Sequence, residues 1–169
     1  MRDLGTLAIV LEKKAVGEAD VALTLYTELL GKVIARGRSM RKIVSKLAAH
    51  TEPGHLSEVR LVERNAAPQS EQFFLVDAIS EIRLFEDIGF LELAARVTFP
   101  LQRDHGVWEF LYVGKADRAK LFSLVGIGAP GSSCALCALN PPAFFFEPDQ
   151  NFICLRCSLE MPQTTLTYI

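Results

Sequence analysis

Four cysteines constrain this chain more than any other feature. They stand at Cys134, Cys137, Cys154 and Cys157, reading Cys-Ala-Leu-Cys, sixteen intervening residues, then Cys-Leu-Arg-Cys, and no cysteine lies elsewhere. Two such pairs supply four thiolates, the closed tetrahedral set that Zn²⁺ takes at a structural site. The spacing falls in the range of paired zinc knuckles. Four protein ligands leave no open position for water, which argues against a catalytic zinc. An iron–sulfur cluster also uses thiolates and stays open at this point. Two disulfides suit a small secreted domain, whereas this chain shows no export signal and, with 169 residues, has length for its own core. A thioredoxin-like redox pair needs one Cys-x-x-Cys, not two.

That length allows one sizeable domain or two small ones. With 50% hydrophobic and 22% charged residues the chain reads as folded and globular. No stretch approaches the roughly 20 uncharged apolar residues of a membrane span. The opening Met1-Arg2-Asp3-Leu4-Gly5 has no apolar signal core, so reduced cysteines and a cytoplasmic location are expected. The net charge of −2 by itself argues against a polyanion partner, but its distribution does not. Residues 1–65 hold 11 Lys+Arg against 8 Asp+Glu, and residues 66–169 hold 7 against 12. Lys32, Arg36, Arg38, Arg41, Lys42 and Lys46 fall where no acid appears from Gly31 to Thr51. Such segregation fits either a basic face for a polyanion or an ordinary solvated loop.

The pattern predicts three segments. Leu7–Leu11, Val21–Thr27, Lys32–Gly37 and Leu56–Glu63 read as strands, with Gly17-Glu18-Ala19-Asp20 as a turn. Short strands at close spacing suggest a small barrel over 1–66. Asn65–Ser70 reads as a boundary. Beyond it a helical domain is expected over 70–127. Its first helix is capped by Ser70 and runs through Leu75, Ile79, Ile82 and Phe85 to about Asp87; further helices lie at Phe90–Phe99, Val107–Val113 and Asp117–Val125. The aromatics there read as core. The metal module, 128–160, has the layout of a zinc ribbon: Ala143–Phe146 as a strand, Pro148–Asn151 as a turn, Phe152-Ile153 returning to the second cysteine pair. So short a hairpin cannot hold itself; the metal supplies on the order of 10 kcal/mol.

These residues resemble the RecO family of bacterial recombination mediators. Ala8–Leu11, Gly17–Asp20 and Leu23–Thr27 are similar to the family's first strand, turn and second strand. Gly31-Lys32, Ala35–Arg38, Arg41-Lys42 and Ser45–Leu47 resemble its next strand and basic loop. Leu121–Gly126 with Pro130 before Cys134, and Phe144–Pro148 before Cys154, resemble its helix and hairpin around the cysteine module. The helical middle is short and diverged, and the chain stops soon after Cys157, where family members usually continue with more helices. The resemblance implies a multi-domain α+β protein: an N-terminal OB-fold β-barrel, a small α-helical domain and a C-terminal four-cysteine zinc ribbon. It implies binding of single- and double-stranded DNA and strand annealing in the bacterial cytoplasm, at the nucleoid. The implied partners are RecR and single-stranded-DNA-binding protein, acting before RecA loads, and no catalytic turnover is implied.

Annealing brings two polyanions together, so phosphate charge must be neutralised without reading bases. Lys32, Arg36, Arg38, Arg41, Lys42 and Lys46 are the candidate DNA contacts, and Cys134, Cys137, Cys154 and Cys157 hold a structural Zn²⁺. All eleven Phe and the single Trp lie after residue 72, so the barrel is poor in base-stacking aromatics. A zinc-ribbon adaptor without DNA affinity is the alternative. An enzyme is not expected: His50, His55 and His105 form no metal pair or hydrolase motif, and no Gly-rich phosphate loop is present.

Overall fold

Alternating apolar residues make the first third of the chain into strands β1 (Asp3–Val16), β2 (Asp20–Thr27), β3 (Gly31–Gly37) and β4 (His55–Glu63), and a fifth follows, β5 (Phe73–Arg83). The computed structural model describes residues 3–42, 45–63, 73–127, 133–146, 148–149, 151–162 and 166–168. The five strands close into a barrel in the order β1-β2-β3-β5-β4. β1 is long enough to serve two seams: Asp3–Ile9 pairs with β4 and Ala8–Val16 with β2. A bulge between Val10 and Glu12 bends it between them. Every seam is antiparallel except β3–β5, which is parallel and, among the described residues, pairs Ala35–Gly37 with Phe73–Leu75.

Inward residues fill the barrel. Val10, Leu23, Leu25, Val33, Ala35, Val59, Leu61, Phe73, Leu75 and Ala78 form one buried cluster, and Met40 joins it. Ile9, Leu11 and Tyr26 are also buried. They belong to β1 and β2, against which α1 (Ile88–Val97) packs. Helices α1 and α2 (His105–Tyr112) begin at Asp87 and Asp104, whose carboxylates accept the N–H of Phe90 at 2.9 Å and of Val107 at 3.0 Å. Each satisfies a donor that the helix leaves free. Among the described residues, no helix is long and apolar enough to cross a membrane.

The barrel, α1 and α2 lie in one compact unit, Met1–Ala116, and a second unit is Asp117–Ile169. In the second, α3 (Arg118–Leu124) is capped by Asp117. A three-stranded sheet orders β7 (Asn151–Ile153), β6 (Phe144–Phe146) and β8 (Leu166–Tyr168), and one turn of helix, α4 (Leu155–Ser158), follows β7.

One element differs from its expectation. The helix predicted from Ser70 to Asp87 is strand β5 over Phe73–Arg83. Two bulges in its pairing with β4, at Leu56/Ser57 and Arg60/Leu61, break strict alternation. The apolar residues that suggest a helical stripe do not share one face of the strand: Leu75 is buried, whereas Ile79 and Ile82 are each 58% exposed. The strand closes the barrel, so the division at residue 66 differs from the grouping seen here; the boundary segment Asn65–Ser70 lies outside the described residues.

Candidate nucleic-acid interface and metal centre

The basic stretch leaves the barrel at the end of β3. Strand parity puts Val33 and Ala35 inside and Lys32, Ile34 and Arg36 outside. Lys32 is a correction to the candidate DNA contacts. It is 8% exposed, and its ammonium donates to the carbonyl of Ala95 at 2.6 Å. Ala95 lies in the last turn of α1, where carbonyls lack helix partners and a cation is favoured. Burial lowers the pKa of Lys32, with Glu12 opposing. Lys32 clasps helix to barrel and is not placed to meet phosphate.

Arg36 is engaged as well. Its Nε donates to Asp20 at 2.9 Å, and its side chain is 32% exposed. Asp20 also accepts the Ser39 N–H at 2.8 Å. These donors, Ser39 first and then Arg36, hold the Asp20 carboxyl below the usual carboxylate range. Asp20 thus fixes the direction in which the basic segment departs. Sequence reading saw Gly17–Asp20 as a turn but missed this role. The same turn takes the Arg41 N–H on Ala19 O and the Arg41 guanidinium on Gly17 O, each at 2.9 Å. Met40, 2% exposed, plugs the barrel end.

Arg38, Arg41, Lys42 and Lys46 are exposed. Arg38 lies flat above Phe74, its guanidinium carbon 4.2 Å from the ring centroid. Phe74 was read as helical core and is a second correction: it is half-buried on β5, in register with Arg36 across the parallel seam. Beyond Lys46 the chain is anchored. Leu47 packs on the barrel core, Thr51 donates to Leu47 O at 3.0 Å, and Ser57 donates to His50 O at 2.7 Å.

The four cysteines come together, all sulfurs within 4.8 Å of one another. Cys134 and Cys154 are buried; Cys137 and Cys157 are partly so. The 3.8 Å between the sulfurs of Cys137 and Cys154 is far beyond a disulfide bond. It matches the edge of about 3.8 Å expected for a tetrahedron with metal–sulfur bonds of about 2.3 Å. Local hydrogen bonds shape both knuckles. Ala138 donates to Cys134 O at 2.8 Å, Ala135 to Phe152 O at 2.8 Å, and Cys157 N–H to the Cys154 sulfur at 3.5 Å. Burial pushes the Cys134 thiol up, but backbone N–H groups of Cys154, Cys137 and Leu136 outweigh it and bring the thiol to about 6. The Leu139 N–H leads in lowering Cys137. Cys157 is pushed up to about 12, first by its Cys154 neighbour and then by burial. Crowded thiolates repel one another, and a bound cation removes that penalty. The donor set fits a metal such as zinc.

The fold defines the class: a mixed α+β protein with an N-terminal five-stranded barrel, small helices and a C-terminal four-cysteine cluster. Residues 1–77 match the family described as Recombination protein O N terminal. The chain is also similar to the DNA repair protein RecO of two strains of Dehalococcoides mccartyi, 42% identical to each over 64 residues. Each match takes in 38% of this chain and only 25% of the relative's length. The family match falls on the residues that hold β1 to β4, the start of β5, and the turn and basic segment that carried the resemblance.

Proposed function

We propose that this chain is a DNA repair and recombination mediator. It binds single- and double-stranded DNA mainly through phosphates and promotes annealing of complementary strands. The observation that carries the reading is the run of exposed cations, Arg38, Arg41, Lys42 and Lys46, leaving a barrel whose sequence matches the RecO N-terminal family. A barrel of strand order 1-2-3-5-4 is read as an OB-fold, whose second and third strands commonly carry oligonucleotides. Asp20 and Met40 pin the start of the cationic run, which reduces the entropy lost when phosphates are gripped. RecR, single-stranded-DNA-binding protein and RecA are the proposed partners, the first two by contact and RecA by subsequent loading. The comparisons give no support to an adaptor lacking DNA affinity. Cys134, Cys137, Cys154 and Cys157 are proposed to hold a structural Zn²⁺, which contributes stability and no chemistry.

The test is strand binding and annealing at several salt concentrations. Replacing Arg38, Arg41 and Lys42 together with Gln is expected to weaken duplex binding. It should also flatten the plot of log affinity against log salt by about 2 to 3. Unchanged affinity and slope overturn the reading.

A further inference from the structure

We propose that Phe74 is a stacking platform for a nucleobase of a single strand, covered by the Arg38 guanidinium until a base takes its place. This deepens the reading just given and rests on it. Read as sequence, the barrel has no suitable aromatic: Tyr26, the only one before residue 72, is 1% exposed. The fold supplies one from a strand mistaken for helix. Phe73 and Leu75 enter the barrel core, and Phe74 between them does not. It stands between β3 and β4, in register with Arg36 on one side and Val62 on the other. Its ring lies under Arg38, the first exposed cation of the basic run.

A guanidinium is a flat, delocalised cation that stacks on an aromatic face much as a base does. It also forms short, paired hydrogen bonds to phosphate. An arriving strand therefore offers both halves of an exchange. Its phosphate draws Arg38 off the ring, and the adjoining base moves onto the ring in its place. A duplex offers the phosphates, but its bases are stacked on one another. The exchange thus favours single strands while the rest of the basic run grips either form. A base held this way keeps its hydrogen-bonding edge free, which suits pairing with a second strand.

The experiment measures binding of the full chain to three probes: oligothymidine, an abasic strand of equal length, and a blunt duplex. The wild-type protein should bind oligothymidine more tightly than the abasic strand by roughly 5- to 100-fold. Phe74→Leu, which keeps an apolar side chain, should collapse that ratio towards one while shifting duplex affinity far less. Equal losses on all three probes, no loss on any, or a wild-type ratio of one each overturn the platform. If Phe74→Leu does not fold, Phe74→Trp serves. Its added indole emission must be quenched by oligothymidine well beyond the abasic strand, and equal quenching overturns the proposal. The pair Arg41→Gln and Lys42→Gln keeps the two readings apart. If it leaves duplex affinity and salt slope unchanged, the phosphate grip itself is wrong. If it weakens duplex binding while Phe74→Leu spares the oligothymidine ratio, only the platform is wrong.

Discussion

Tyr26 shows how one side chain couples the barrel to its helical cover. It is 1% exposed, and its hydroxyl donates to Asp104 O at 3.4 Å, at the start of α2. Burial, with the Asp104 charge second, raises its pKa from 10.0 to about 12. The folded value exceeds the unfolded one, so Tyr26 contributes stability that is fully present below pH 10 and lost as pH rises from 10 to 12. Two units correspond to about 3 kcal/mol. Urea midpoints should therefore hold below pH 10 and fall above it, and Tyr26→Phe should lose most of that fall; an equal fall in the variant contradicts the assignment. Lys32 acts with the opposite sign. Its folded pKa lies below the unfolded 10.5, so its penalty eases as pH climbs towards that value. Strand parity puts Lys32 on the outer face of β3. It could not show that α1, more than fifty residues later, covers that face.

At the level of elements, the start of β3 depends on Gly31. Its φ is +70°, and a Cβ there would run into the carbonyl oxygen of Gln102. The segment after α1 comes this close because Leu101 N–H donates to Lys32 O at 2.8 Å. Gly17 shares the positive φ, at +60°, but faces open space. Gly31→Ala should cost more than about 2 kcal/mol, and Gly17→Ala about 1 kcal/mol, the latter from backbone alone. Chemical denaturation of both variants checks this, and equal costs would show that the close approach is irrelevant. β1 to β4 were legible from short apolar or alternating runs broken by turns such as Gly17–Asp20, and the three longer helices from their apolar residues, whereas the Asp caps that start them come from the structure. β5 was not, since its bulges disguise a two-residue period. β8, three residues long, is too short to show any period.

For the whole molecule, two units imply two unfolding events. The second unit, Asp117–Ile169, has a small sheet of three-residue strands around its cysteines. Metal binding, on the order of 10 kcal/mol, is comparable to the stability of an entire domain. Chelation, or Cys134→Ser, should abolish a metal-dependent transition and hydrogen-exchange protection around 133–162, while protection of the barrel strands persists. Identical melting with and without metal would end the structural role. The cysteine spacing made this centre readable from sequence, whereas the pairing of Arg38 with Phe74 needed a contact across a parallel seam. Among the described residues that seam joins β3 to β5 over Ala35–Gly37 and Phe73–Leu75, while its neighbours run further. A polymer gripped as proposed, over Arg36, Arg38 and Phe74, would act as an external suture across that seam.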